Sequence, residues 1–257
     1  MLKAGVLGAG HLGKIHLRLL KESSRYELIG FYDPDSIQGK AVSEEFGIPY
    51  FDNMNTLIES VDVVDIVTPT LSHYECAKKA IALGKHVFIE KPITHTQKEA
   101  EELIRLLHAK GLKGQVGHVE RFNPAFQAVK HLIEDPMFIE THPLAEVNPR
   151  GTDVPVGLDL MIHDIDIILS VVNSEVADIE ARGVSVISNS PDIANARIAF
   201  TSGCVANLTA SRVSAEKVRK VRLFAVNSYF SLDYQEQEIH GYRLVQEAEW
   251  RRIEPVQ

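Results

Sequence analysis

Three groups of residues in this chain have types and spacings that suit chemistry. The first is Gly8-Ala9-Gly10-His11-Leu12-Gly13, directly after the apolar run Leu2–Leu7 and directly before the helically spaced Lys14–Leu20. Strand, G-x-G-x-x-G and helix in immediate succession suit a pyrophosphate: Gly8 permits the tight turn, Gly10 lets backbone amides approach, and Gly13 lets helix and strand pack closely. The helix start then offers unpaired N–H groups and the positive end of its dipole. A second apolar run, Glu27–Tyr32, ends in Asp33, at the position where an acid accepts the hydroxyls of an adenosine ribose. A carboxylate there repels a 2′-phosphate, so NAD is expected over NADP, with Lys40 the nearby cation that could soften the preference. The second group is Glu90-Lys91-Pro92, whose lysine can reach a substrate hydroxyl and serve as acid or base. The third is Asp159, His163 and Asp166, at i, i+4 and i+7 on the polar face of a helix read over Leu158–Val172. An acid one turn before a histidine can hold its ring or stabilise its cation. A metal fits less well, because no third histidine or cysteine has ligand spacing, and none is expected.

The elements that must position these groups follow from the apolar periodicity. After Asp33 a capping box at Asp35–Gln38 opens a helix to Phe46, Ile48–Phe51 reads as a strand, and Asp52–Glu59 as a short helix. Val61–Val67 is a buried strand, Ser72–Leu83 a helix, His86–Glu90 a strand, and a second capping box at Thr94–Gln97 opens a helix to Lys110 before a strand at Lys113–His118. Strands alternating with helices predict a doubly wound parallel sheet of Rossmann type, with Gly8, Asp33, Thr68, Glu90 and His118 at its ligand-binding edge. Beyond His118 the texture changes. Asn123–Glu134 is an amphipathic helix, Asn148–Gly157 a polar loop, and the helix at Leu158–Val172 carries an apolar stripe of Leu158, Met161, Ile162, Ile165, Ile168, Leu169 and Val172. Strand-like runs follow at 179–187, 194–201, 205–211, 217–225 and 229–234 with no helix among them, which predicts an open, largely antiparallel sheet in an α+β domain. The expected domains are 1–120, binding cofactor, and 121–257, binding substrate and making oligomer contacts.

The net charge of −8 argues against a nucleic-acid partner. No apolar run approaches the roughly 18 residues of a membrane helix, and a strand starting at Leu2 leaves no room for a signal peptide. Cys76 and Cys204 read as small core residues in a reducing compartment, so a cytoplasmic location is expected.

In order and spacing, Gly8–Gly13, Thr68-Pro69 with His73, Glu90-Lys91-Pro92, and Asp159 with His163 resemble the glucose–fructose oxidoreductase, inositol dehydrogenase and rhizopine catabolism family, Gfo/Idh/MocA. The resemblance runs over nearly the whole chain. It implies hydride transfer between NAD(P) and a secondary carbinol of a sugar or cyclitol, and a homodimer or homotetramer built through the outer face of the second domain's sheet. By the same resemblance Lys91, Asp159 and His163 form the catalytic set. Gly8, Gly10, His11, Leu12, Gly13, Asp33, Thr68, Pro69, His73, Glu90 and Lys91 line the cofactor, with Glu90 near the nicotinamide ribose. Lys91 and His163 are expected to share the reacting hydroxyl, with His163 the proton acceptor and the two roles exchangeable. Gly117–Pro124 is similar to the G-H-x-E-R-F-N-P segment of a subgroup of UDP-N-acetylglucosamine 3-dehydrogenases, which implies Arg121 and Asn123 as substrate-binding residues, alongside His163 of the catalytic set. Arginine at 121 can meet a nucleotide-sugar phosphate with two hydrogen bonds, or be spent on a salt bridge between domains. Two departures from the family pattern stand out: Val156-Gly157 replaces a glycine pair, and Met161 a glycine. Relatives also usually continue through a further helix, which this chain is expected to lack. Inositol or simple-sugar oxidation, and a non-catalytic NAD-binding regulator, are the alternative functions.

Overall fold

The structure, a computed structural model, describes residues 1–147, 154–247 and 250–255. Its contacts divide the chain into two compact units, Met1–Gly117 and His118–Gln257.

The first unit alternates strand and helix: β1 (Leu2–Leu7), α1 (His11–Glu22), β2 (Tyr26–Tyr32), α2 (Ser36–Phe46), β3 (Tyr50–Phe51), α3 (Met54–Glu59), β4 (Val63–Ile66), α4 (Thr70–Ala82), β5 (His86–Ile89), α5 (Gln97–Lys110) and β6 (Gly114–Val116). The strands form one parallel six-stranded sheet in the order β3-β2-β1-β4-β5-β6. The order reverses between β1 and β4, and the C-terminal ends of strands at such a reversal are where doubly wound sheets bind ligands. Helices cover both faces, which is why β4 is buried at Val64, Asp65 and Ile66 alike. The apolar core joins Leu7, Leu57, Ile66, Ile81, Ile89 and Leu103, each at most 2% exposed.

Both expected capping boxes differ in detail. At α2, Asp35 Oδ1 accepts from the Ile37 and Gln38 N–H groups, but the Gln38 amide does not return to Asp35; it donates to the Ala9 carbonyl at 3.0 Å. At α5 the cap is Thr96, paired reciprocally with Glu99, two residues beyond the expected Thr94. The Thr94 hydroxyl donates to the Thr96 carbonyl and fixes the approach to the helix.

The second unit opens with a 3₁₀ turn at Val119–Phe122 and a short helix, α6 (Pro124–Val129), continued by a 3₁₀ turn at Lys130–Leu132. Then come β7 (Pro136–Glu146), a π-helical turn at Gly157–Met161, α7 (Ile162–Val171), β8 (Val176–Val184), β9 (Ile193–Phe200), β10 (Val205–Ser214), β11 (Val218–Ala225), β12 (Ser228–Asp233), β13 (Glu238–Glu247) and β14 (Trp250–Pro255). They form an eight-stranded sheet in the order β14-β13-β12-β11-β7-β10-β9-β8. Among the described residues only β7 and β10 run parallel. No element is expected over 136–146, where Pro136 and Pro143 weaken the local strand signal. β7 nevertheless lies in the middle of the sheet, with Ile139 and Thr141 wholly buried, and its burial outweighs the rung that Pro143 cannot donate to. Of the expected polar loop Asn148–Gly157, residues 148–153 lie outside the described residues.

α7 packs on the inner face of this sheet through Met161, Ile167, Ile168 and Val172, against Ile139, Ala206, Leu208, Leu223 and Phe230. The expected stripe is rotated. Leu169 is 51% exposed, while Ile167 and the polar Asp164 are buried. A reading that counts only apolar residues steps around Asp164 and so misplaces the face.

Candidate active site

Each predicted cofactor residue of the first unit sits at a strand end or helix start on the ligand-binding edge. Gly8 has φ +101°, a conformation L side chains rarely adopt, and a Cβ there would stand 2.7 Å from the Val67 carbonyl oxygen. A Cβ on Gly13 would strike the Gly8 carbonyl, so α1 can follow β1 this closely only as glycine. Gly10 differs: nothing lies within 4 Å of where its Cβ would be. Its space is open for a ligand rather than filled by protein. His11 and Leu12 are exposed beside it at the first turn of α1.

The start of α1 is what fits a dinucleotide. α2, α3 and α5 each have a side-chain cap, from Asp35, Asn53 and Thr96. α1, like α4, has none, and no acid stands in its first turn. Its leading N–H groups and positive dipole end therefore await an anion. Asp33, 8% exposed, accepts from the Ala9 N–H at 2.8 Å and from the Asp35 N–H at 2.9 Å. Those two bonds fix its carboxylate against the glycine loop. A carboxylate has about four acceptor positions, so capacity remains for two ribose hydroxyls. The residues present thus fit NAD.

Thr68 and Pro69 follow β4, and His73 lies in the first turns of α4. His73 is 1% exposed, with Nδ1 2.8 Å from the Pro92 carbonyl oxygen and Nε2 2.8 Å from the Thr68 carbonyl oxygen. Both nitrogens are engaged, so His73 staples the loop after β4 to the turn after β5, rather than reaching a cofactor with its ring. Glu90 closes β5; its Oε2 accepts from the Lys91 N–H at 3.1 Å. Lys91 is half-buried. Glu90 also lies 3.4 Å from His16 Nε2, and His16 Nδ1 lies 2.9 Å from Asp65. The sequence reading passes over His16 and Asp65. The available signal was a charged residue inside the apolar run Val63-Val64-Asp65-Ile66.

In the second unit, Asp159 lies in the π-helical turn and His163 at the start of α7, 8% exposed. A π turn is uncommon and recurs at functional sites. It also means that the interval from Asp159 to His163 is not the regular α-helical one the spacing implied. Asp166 belongs to a different partnership. Arg121 donates to it twice, Nε to Oδ2 at 2.6 Å and Nη2 to Oδ1 at 2.7 Å, with His118 Nε2 3.9 Å from Oδ1. Arg121 is therefore engaged in a forked ion pair, and both partners lie within the second unit, which corrects the alternative of a bridge between domains. Asn123 is spent on structure: Oδ1 accepts from the Ala125 N–H, and Nδ2 donates to Glu120 and to the Tyr234 carbonyl.

Behind His163, Asp164 is 3% exposed. Burial pushes its carboxyl up to about 7; the Arg219 charge pulls the other way and Glu120 adds to the rise. Among the described residues, no group of three or more His, Cys, Asp or Glu side chains is arranged to hold a metal.

Comparison with known proteins decides the family. The profile of an oxidoreductase family with an NAD-binding Rossmann fold matches residues 2–118, and that of the GFO/IDH/MocA C-terminal domain matches 148–241. The UDP-N-acetylglucosamine 3-dehydrogenase of Acidithiobacillus ferrooxidans is 36% identical over 94% of this chain and 77% of its own. The chain belongs to the Gfo/Idh/MocA family. A solved structure of that enzyme matches this Gfo/Idh/MocA protein with a TM-score of 0.90 and 35% identity, covering 100% of this chain and 82% of the other. The scyllo-inositol 2-dehydrogenase (NAD(+)) of Bacillus subtilis is 29% identical over 83% of this chain and 68% of its own. A solved scyllo-inositol dehydrogenase of Lactobacillus casei, at 22% identity and a TM-score of 0.80, shares the fold.

Proposed function

We propose that this protein is an NAD-dependent dehydrogenase that oxidises the 3-hydroxyl of a UDP-linked amino sugar such as UDP-N-acetylglucosamine. The observation that carries the reading is the 36% identity over 94% of the chain to an enzyme named for that reaction. Removing hydride from a carbinol carbon requires the hydroxyl proton to leave as well, so a base must stand at the oxygen. NAD, when bound, supplies the hydride acceptor. His163 takes the hydroxyl proton, Lys91 donates a hydrogen bond to the same oxygen and offsets its developing charge, and Asp159 supports the imidazole as it gains the proton. His163 also belongs to the substrate contacts. Arg121 can meet a diphosphate only through the part of its guanidinium not committed to Asp166.

The test is turnover. UDP-N-acetylglucosamine, other UDP-sugars, free sugars and inositols are each incubated with NAD, and NADH absorbance is followed. The proposal requires oxidation of the UDP-amino sugar with kcat/KM well above the rest. Inositol turnover instead would favour the second reading, which the B. subtilis relative supports. With the substrate found, Lys91→Met and His163→Ala should each lose about 10²–10⁴-fold in kcat while NAD still binds. Near-normal turnover in both variants would remove them from the catalytic set.

The assembly we infer is a homodimer or homotetramer through the outer face of the eight-stranded sheet. On that face Phe138, Phe224, Tyr229 and Tyr242 form a row of ring contacts at 4.8–6.3 Å, with Phe224 39% and Tyr242 41% exposed. We infer a cytoplasmic location. The two cysteines are buried and unpaired, as in a reducing compartment, and no helix among the described residues is long and apolar enough to cross a membrane.

A further inference from the structure

His16 and Asp65 have no part in the reaction as described, yet they form a charged cluster with the cofactor-lining Glu90. α1, β4 and β5 bring His16, Asp65 and Glu90 together, with His16 Nδ1 2.9 Å from Asp65 Oδ2 and Nε2 3.4 Å from Glu90 Oε1. All three side chains are mostly buried, at 17%, 9% and 11% exposure. The surroundings are largely apolar: the His16 ring lies 5.9 Å from Phe88, and a cavity of 320 Å³ beside it is lined by Leu19, Leu20 and Val63, with Tyr26 and Gln115 as its other polar residues. Such a wall weakens screening and strengthens interaction between the charges.

We propose that His16 is a positioning residue. Bridging Asp65 and Glu90, it sets the place of the Glu90 carboxylate and, through that carboxylate's bond to the Lys91 N–H, the backbone from which the Lys91 side chain departs. The chemistry of the bridge supports this. A neutral imidazole has one N–H and can donate to one acid only; an imidazolium donates to both. Burial by itself would lower the pKa of His16. Its hydrogen bonds to Asp65 and Glu90 and their charges outweigh burial and push it up to about 10. Asp65 is drawn both ways, raised by burial and lowered by His16, with burial the larger influence. On Glu90 the bonds from His16 and from the Lys91 N–H overcome burial and lower the pKa. The carboxylate beside Lys91 therefore stays ionised and fixed. Gly117 completes the fit: a Cβ there would come within 2.6 Å of Glu90 Oε1, so the carboxylate is held against backbone on that side.

The inference rests on the reading of Lys91 as catalytic, and its test separates the two. The first arm needs no substrate: ¹⁵N spectra of the imidazole of His16, in full-length wild type and in Glu90→Gln. Wild type should show both ring nitrogens protonated at pH 8, and Glu90→Gln should shift the loss of that proton to lower pH. A neutral His16 ring at pH 8 in wild type overturns the bridge. The second arm is kinetic, with folding checked by circular dichroism. His16→Gln, which keeps a donor but no charge, should lose tenfold or more in kcat with the sugar KM little changed. In a Lys91→Met background the same change should lose less than twofold. An equal loss in both backgrounds overturns the route through Lys91. If wild type turns over no sugar at all, the proposed function fails, while the spectra still decide the bridge.

Discussion

The residues that carry the cofactor reading are held by backbone, and this makes their effects separable. Asp33 is locked by the N–H groups of Ala9 and Asp35, so its side chain is already oriented before any ribose arrives. Asp33→Ala removes the acceptor for the ribose hydroxyls and the charge that would repel a 2′-phosphate. NAD should bind at least tenfold more weakly in that variant, about 1.4 kcal/mol, and the gap to NADP should narrow; fluorescence titration of both cofactors measures it. If wild type already prefers NADP, Asp33 has been given the wrong task. His73 and Asn123 show the limit of reading a residue by type. Each is polar and placed in a recognised pattern, yet the carbonyls of Thr68 and Pro92 claim one and the start of α6 claims the other.

Elements decide which glycines are structural and which are functional. Gly8 and Gly13 are required for β1 and α1 to meet, whereas Gly10, with φ −68° and open space around it, is required only by a ligand. Gly10→Val should fold with stability within about 0.5 kcal/mol of wild type and lose NAD binding. Gly8→Val should fail to fold or melt far lower, because its side chain would meet the Val67 carbonyl. Thermal melts with and without NAD distinguish the pair, and equal NAD affinity in Gly10→Val would remove the glycine loop from the cofactor site. The capping residues belong to this scale too. Thr96 takes the role expected of Thr94: its hydroxyl accepts from the Glu99 N–H while the Glu99 carboxylate accepts from the Thr96 N–H, and the Thr94 hydroxyl goes to the Thr96 carbonyl instead.

At the scale of the whole molecule, stability and assembly each give a test. Asp164 has a folded pKa of about 7, above the value of about 3.9 for an unfolded aspartate. The folded state then binds the proton over that interval and the unfolded state does not, so this group's contribution to stability falls as pH rises from about 4 to about 7. Asp164→Asn removes the titration. Its unfolding free energy, from denaturant melts, should gain on wild type as pH goes from 4 to 8, by an amount on the order of a few kcal/mol at the upper end. A difference that is flat with pH would show that Asp164 is not a buried neutral acid. For assembly, Phe224→Lys places a charge in the aromatic row of the outer sheet face, and light scattering should report a smaller species. An unchanged mass would move the interface elsewhere.

The alternation of strands and helices, the glycine loop with Asp33, and the change of texture near residue 120 were legible in the sequence, because each is local: periodicity, turn chemistry and spacing are set by neighbours along the chain. The parallel sheet and the largely antiparallel one followed from that pattern. What the sequence did not yield is non-local. β7 is a strand because β10 and β11 flank it and bury Ile139, although its prolines deny it locally. β13 and β14 extend the sheet by pairing alone, beyond any run read as strand. The π turn at Gly157–Met161 altered the spacing on which the Asp159 and His163 pair had been placed, and Asp164 faces the core where a count of apolar residues could not find it. The bridge of His16 to Asp65 and Glu90 joins residues 49 and 74 positions apart, and only the packing of α1 across β4 and β5 brings them within hydrogen-bonding and ion-pair range. Sequence determines what a residue can do; the partner that directs it there is chosen by the tertiary fold, because burial and charge act through space and not along the chain.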